Sequence, residues 1–172
     1  AALGCLFVPL LGILQKLGLM HDFSDELDRM VKVLDSMTSR LSEDVLLPSN
    51  KAKDLSTQLF EKVPVIYGAG ILSAVAHRWK TQLNENSKHW SFSEVLPDLN
   101  HNAVVGYDLP PKMKEIALVI ILRSPSLHQR HLDRYRVTLE LLEKANVKYS
   151  VVDAEGEDVL SQTMSLLFFG DW

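Results

Sequence analysis

The densest run of polar chemistry in the chain is Arg78-Trp79-Lys80-Thr81-Gln82-Leu83-Asn84-Glu85-Asn86-Ser87-Lys88. Read as the end of a helix, it sets Arg78, Gln82 and Glu85 on one face at i, i+4 and i+7. A carboxylate reached by a guanidinium and an amide could act as a base on a polar substrate. A solvated helix face is the plain alternative, although asparagines on both sides of Glu85 are poor helix formers. The second patch is Asn100-His101-Asn102, just past Pro97-Asp98-Leu99. A loop histidine titrates near neutrality and suits proton transfer; bonding to its own backbone is the plain alternative.

The other candidates are weaker. His128 and His131 lie in a run, HQRHLDR, that reads as a wet helix face, and His77 and His89 share the Glu85 helix without metal-ligand spacing. No paired carboxylates suggest glycoside hydrolysis. Cys5 lies on an apolar helix face and reads as a small core residue. As the single cysteine it can form no internal disulfide, and no Cys/His framework for zinc is present. A reducing, cytoplasmic setting is the expectation that follows.

Something must position these groups. Val63-Pro64-Val65-Ile66-Tyr67 is a short apolar run ending in Gly68-Ala69-Gly70, after which residues 71–88 read as a helix; strand, glycine turn and helix open a βαβ unit. Residues 116–122 (IALVIIL) are wholly apolar, as in a strand buried on both faces of a parallel sheet. A helix over 127–145, a strand over 147–153 and a helix over 158–169 follow. Residues 90–96 read as a further strand leading into a loop over 97–111. The expected fold is α/β, a three-layer αβα sandwich with a mostly parallel sheet.

Upstream, Ser24 reads as the cap of a helix whose Leu27, Met30, Val31, Val33, Leu34 and Met37 recur at helical spacing. Pro48-Ser49-Asn50 punctuates, and KAKDLSTQLFEKV forms a short helix. The opening residues, AALGCLFVPLLGILQKLGLM, read as a buried helix with Pro9 in its first turn and Gly18 at its stop. They lack the basic lead and cleavage site of a signal peptide, and Pro9 and Gln15-Lys16 interrupt them too early for a membrane span.

Ligands of such sheets gather beyond the carboxyl ends of the strands. Three places qualify: Gly68-Ala69-Gly70, the loop after Leu96, and Arg123-Ser124-Pro125-Ser126. The glycine turn matches neither dinucleotide nor Walker patterns and reads first as a tight turn. The Arg123 turn could hold an anion at a helix N-terminus, but reads first as a capped helix start. The 172 residues suit one domain. With 18 basic against 22 acidic residues and a net charge of −4, a broad nucleic-acid face is not expected.

These segments together carry a resemblance. Val65-Ile66-Tyr67-Gly68-Ala69-Gly70, Ala76-His77-Arg78-Trp79-Lys80, Gln82 to Lys88, Pro97-Asp98-Leu99-Asn100-His101-Asn102 and Val105-Gly106 resemble the bifunctional phosphoglucose/phosphomannose isomerases, built from two sugar isomerase (SIS) domains. The resemblance runs through the whole chain and implies a SIS, flavodoxin-like fold. It implies that residues 1–172 are one SIS domain, the second half of a two-domain enzyme trimmed at both ends, with 1–61 a helical lead-in packing on the sheet and 62–172 the βα core. Glu85 would be the catalytic base and His101 the residue that assists ring opening; Arg78, Gln82, Asn100 and Asn102 would bind substrate.

The sixteen-residue step from Glu85 to His101 is similar to that in glucosamine-6-phosphate synthase, but Gln82 stands where that enzyme has a lysine, so amide-nitrogen chemistry fits less well. The implied reaction exchanges glucose 6-phosphate, and also mannose 6-phosphate, with fructose 6-phosphate through a cis-enediol(ate), with no metal or organic cofactor. The implied assembly is a homodimer sharing the histidine across its interface. The family's phosphate loop has no counterpart here, since no S-x-S-x-x-T occurs, and its catalytic lysine would lie past Trp172. A non-catalytic SIS module that binds a sugar phosphate for regulation, or a structural dimerisation domain, are the other readings.

Overall fold

A computed structural model of the chain describes residues 2–172; Ala1, the first residue of the expected lead-in, lies outside them. Its centre is β3 (Ala117–Arg123), whose residues 117–122 are all buried because helices cover both faces of the sheet. Around it stand β1 (Val63–Ala69), β2 (Phe92–Leu96) and β4 (Lys148–Asp153), all parallel, in the order β2-β1-β3-β4. Ile66 pairs with Ile120 and with Ser93, and Tyr67 faces Glu94 across β2.

The step from β1 to β2 and the step from β3 to β4 run in opposite directions across the sheet. Right-handed crossovers therefore put their helices, α4 (Leu72–Glu85) and α7 (Gln129–Lys144), on opposite faces. α8 (Val159–Asp171) packs beside α4, and α2 (Ser24–Leu41) packs outside α8. α3 (Lys51–Leu59) reaches the sheet's core through Leu55 and Leu59. The three-layer α/β expectation holds.

Several local expectations need correction. α1 (Ala2–Lys16) is not buried: Leu6, Leu10 and Ile13 lie on an exposed face, and Leu11 is its one buried side chain among the described residues. Helical spacing reveals an apolar stripe but not whether anything covers it. Pro9 lies inside α1 rather than in its first turn, and Cys5 is exposed rather than a core residue. Gly18 does end the helix, with φ +70°. Ser24 is the first residue of α2, not its cap; Asp22 Oδ1 instead accepts from the Ser24 N–H and hydroxyl at 2.9 and 2.6 Å. α4 stops at Glu85, which leaves His89 off the helix, its Nε2 bonded to the Lys62 carbonyl. The expected loop over 97–111 contains α5 (Leu99–Asn102) and a 3-10 turn, Val104–Gly106. α6 (Met113–Ile116) then leads into β3.

The lead-in is tied to the core through Asp158, which caps α8. It accepts from the Ser161 N–H at 2.8 Å and from Arg29 Nε of α2 at 2.9 Å. Burial pushes the Asp158 carboxyl up, but the Ser161 bonds and the Arg29 guanidinium outweigh this and hold it below the ordinary carboxylate value. A carboxylate depressed on folding stabilises fully at neutral pH, and that contribution is lost as pH falls below about 4 toward the folded value. Asp158→Ala is expected to cost about 1 kcal/mol at pH 7, a normal N-cap loss. Urea titrations of both proteins should show the gap closing in acid.

Candidate active site

β1 hands over to α4 through a turn only glycine allows. A Cβ on Gly68 would sit 2.3 Å from the Leu72 carbonyl oxygen in the first turn of α4, and Gly70 adopts φ +53°. The close approach brings α4 down on the sheet, burying Leu72, Val75, Ala76 and Trp79 and turning His77 outward.

On the polar row of α4 the three predicted residues have different surroundings. Arg78 is half-buried, and its Nε is buried without a hydrogen-bond partner. Gln82 is buried, not solvated: its Nε2 donates to Asp171 Oδ1 at the end of α8, while its Oε1 is buried and unpartnered. Glu85 ends the helix and is exposed. The following turn is knitted by local bonds. Lys88 Nζ donates to the Glu85 carbonyl, Asn84 Nδ2 donates to the His89 carbonyl at 3.2 Å, and Ser91 Oγ donates to the Lys80 carbonyl at 2.9 Å. The asparagine that disfavours helix is thus a bracket for the turn beside the glutamate. Gln82, Asn86, Trp79 and Asp171 border a cavity of about 230 Å³ between α3, α4 and α8.

His101 lies elsewhere. α5 follows the carboxyl end of β2, and His101 points outward, exposed, while Leu99 is fully buried. Asn100 Nδ2 donates to Thr138 Oγ1 of α7 at 2.9 Å, and Asn102 Nδ2 donates to Asp98 Oδ2 at 3.0 Å. Because α4 runs back from the carboxyl end of β1 to the start of β2, Glu85 sits at the amino end of the sheet and His101 at the other. α4, with 14 residues and so about 20 Å long, spans the distance from one end of the sheet to the other. The structure therefore gathers Arg78, Gln82 and Glu85 into one group and Asn100, His101 and Asn102 into another.

The two other strand ends follow their plainer readings. Arg123 is engaged by Asp153 in a two-bond pair at 2.6 and 2.9 Å. Ser124 Oγ donates to Gln162 Oε1 and accepts from the Ser126 N–H, and His128 Nδ1 caps α7 by accepting from the Arg130 N–H at 3.1 Å. His131 is half-buried beside the Gly70 turn with Nδ1 unpartnered, so its helix face is not uniformly wet. Sequence reasoning misses Asp171; 89 residues separate it from Gln82, and no local pattern announces the pairing. Among the described residues no three His, Cys, Asp or Glu side chains gather as metal ligands, and no helix is long and apolar enough to cross a membrane.

An all-parallel sheet in the order β2-β1-β3-β4 with helices on both faces is an α/β sandwich, and the family whose profile the chain matches is one of SIS domains. The chain belongs to the family described as "Bacterial phospho-glucose isomerase C-terminal SIS domain", whose profile matches residues 48–172. It is 34% identical over 173 residues to a bifunctional phosphoglucose/phosphomannose isomerase of Caldicellulosiruptor bescii, covering 100% of this chain and 51% of that protein. The protein of the same name from Aquifex aeolicus is 27% identical over 139 residues, 81% of this chain and 43% of its own length. The chain thus spans about half the length of these relatives. In fold it matches a glucose-6-phosphate isomerase like protein from Thermus thermophilus with a TM-score of 0.75 at 21% identity, over 93% of this chain and 52% of that one.

Proposed function

We propose that residues 1–172 act as one SIS domain of a cytoplasmic two-domain aldose-ketose isomerase, exchanging glucose 6-phosphate and mannose 6-phosphate with fructose 6-phosphate. The observation that carries the reading is the α4 row: buried, unpartnered polar atoms on Arg78 and Gln82 lead to an exposed carboxylate at Glu85. Buried polar groups normally find partners, so these unpaired atoms leave hydrogen-bonding capacity on the row that ends at the exposed carboxylate, where a hydroxyl-rich ligand would bind. The names of the relatives supply the reaction class.

In this reading the Glu85 carboxylate takes the proton from C2 of the open-chain aldose and returns it to C1. The intermediate is the cis-enediolate, and a proton passes between O2 and O1. His101 moves a proton between the ring oxygen and the C1 hydroxyl as the ring opens. Proton transfers by placed side chains of these types contribute about a hundredfold to ten-thousandfold each. Arg78 and Gln82 bind the sugar beside the base, and Asn100 and Asn102 flank the histidine. The separation of Glu85 from His101 by the length of α4 favours a site completed by two copies, Glu85 from one and His101 from the other. A regulatory module that only binds a sugar phosphate would need neither an acid nor a base.

The phosphate grip is assigned to the half of the relatives that this chain does not cover. The 172-residue chain alone is therefore expected to turn over fructose 6-phosphate at no more than a trace of the rate of the proposed two-domain enzyme. A coupled assay of both at equal molar concentration checks this, and ready turnover by the chain alone would overturn the two-domain reading.

A further inference from the structure

α5 is a single turn of four residues, far below the length at which a helix holds itself in water. Whatever places His101 must come from contacts across the fold. The inner side of the segment supplies them: Leu99 is fully buried, and Ala103, Val104 and Tyr107 pack on the core. Such apolar contacts hold the segment down but leave its rotation soft, because they are not directional. Two hydrogen bonds are directional. One joins Asn100 to Thr138 of α7; the other joins the Tyr107 hydroxyl to the Tyr67 hydroxyl at 3.0 Å.

Tyr67 lies in β1, 2% exposed, two residues before the turn into α4. Its hydroxyl is deep in the molecule, and Tyr107 is the partner that satisfies it. We propose that the Tyr67–Tyr107 hydroxyl pair is a positioning device for His101, clamping the segment 99–107 to β1 so that the imidazole is held out at a fixed angle. This rests on the reading of His101 as a proton-transfer residue. Burial, the main cause at both groups, pushes both phenols above their ordinary value, so the pair stays neutral and the clamp holds at every pH where the enzyme would work. The arrangement also divides the segment cleanly: Leu99, Asn100 and Tyr107 face in, while His101 and Asn102 face out.

The test uses Tyr107→Phe and Tyr67→Phe in the proposed two-domain enzyme, since phenylalanine keeps the ring and removes only the bond. Each should lower kcat by about threefold to tenfold, the range of one lost hydrogen bond, with KM changed less than about twofold. In a His101→Gln background the same substitutions should cause no further loss, because the group they position is gone. Amide hydrogen exchange over residues 99–107 should accelerate while β1 and β3 are unchanged. Equal fractional losses with and without His101, or unchanged exchange over 99–107, would overturn the clamp. Full turnover by His101→Gln would instead overturn the reading of His101 on which the clamp's catalytic role depends.

Discussion

Glu85→Gln in the proposed two-domain enzyme is expected to lower kcat for fructose 6-phosphate by about a hundredfold to ten-thousandfold, the usual contribution of a placed proton-transfer group. The amide keeps the shape of the carboxylate but cannot accept the proton that must leave C1 of this ketose. Binding should persist, because Arg78 and Gln82, whose unpartnered polar atoms lie about two turns and one turn earlier, are unchanged. Stability should persist as well. Glu85 is exposed, its side chain forms no ion pair among the described residues, and a surface change of this kind usually moves stability by less than about 0.5 kcal/mol. Steady-state kinetics, calorimetric binding of fructose 6-phosphate and thermal melting together separate these effects. Unchanged turnover would remove Glu85 as the base.

The largest loss of stability is expected from a neighbour of that row. Trp79 is 4% exposed, stacks on Phe169 of α8 with ring centroids 5.9 Å apart, and donates from Nε1 to the Leu166 carbonyl at 2.8 Å. Gly170 lies so close that a Cβ there would sit 2.5 Å from Trp79 Nε1. Trp79→Ala empties this contact between α4 and α8 and should cost about 3–5 kcal/mol. Trp79→Phe retains most of the packing and loses chiefly the hydrogen bond, for about 1 kcal/mol plus a small cavity. Denaturant titrations of the two variants check the order. A Trp79→Ala cost below about 1 kcal/mol would contradict the view that this residue fastens the two helices.

That fastening also bears on function, since α4 and α8 form the frame in which Gln82 meets Asp171. The row from Arg78 to Glu85 keeps its aim only while the helix stays seated on its partner.

Much of the fold is legible because its strands announce themselves. An apolar run such as residues 117–122 has one comfortable environment, the middle of a covered parallel sheet, and the glycines at 68 and 70 mark the sharp turn into α4. The α1 helix shows the limit. Its apolar periodicity is plain, yet periodicity is blind to whether a second surface exists to cover it, and Leu6, Leu10 and Ile13 are exposed. The α5 turn escapes a sequence reading because one turn of helix has no period to detect.

At the candidate site, residue types and spacing mark Glu85 and His101, and the structure describes where each stands. The burial of Gln82 cannot be read from a polar run, because its cause is a carboxylate 89 residues away. Tyr67 hides in an apolar strand, where a tyrosine resembles any other large core side chain until its hydroxyl finds Tyr107, 40 residues on.

In the proposed enzyme Glu85 of one copy and His101 of another work in one site. Glu85→Gln and His101→Gln forms of that two-domain enzyme, made separately, then unfolded together, refolded as a mixture and assayed, test this. About half of the dimers should then be mixed, each with one site that carries both native residues, so activity should return to about a quarter of the wild-type value. A mixture no more active than its two inactive components would contradict the shared site.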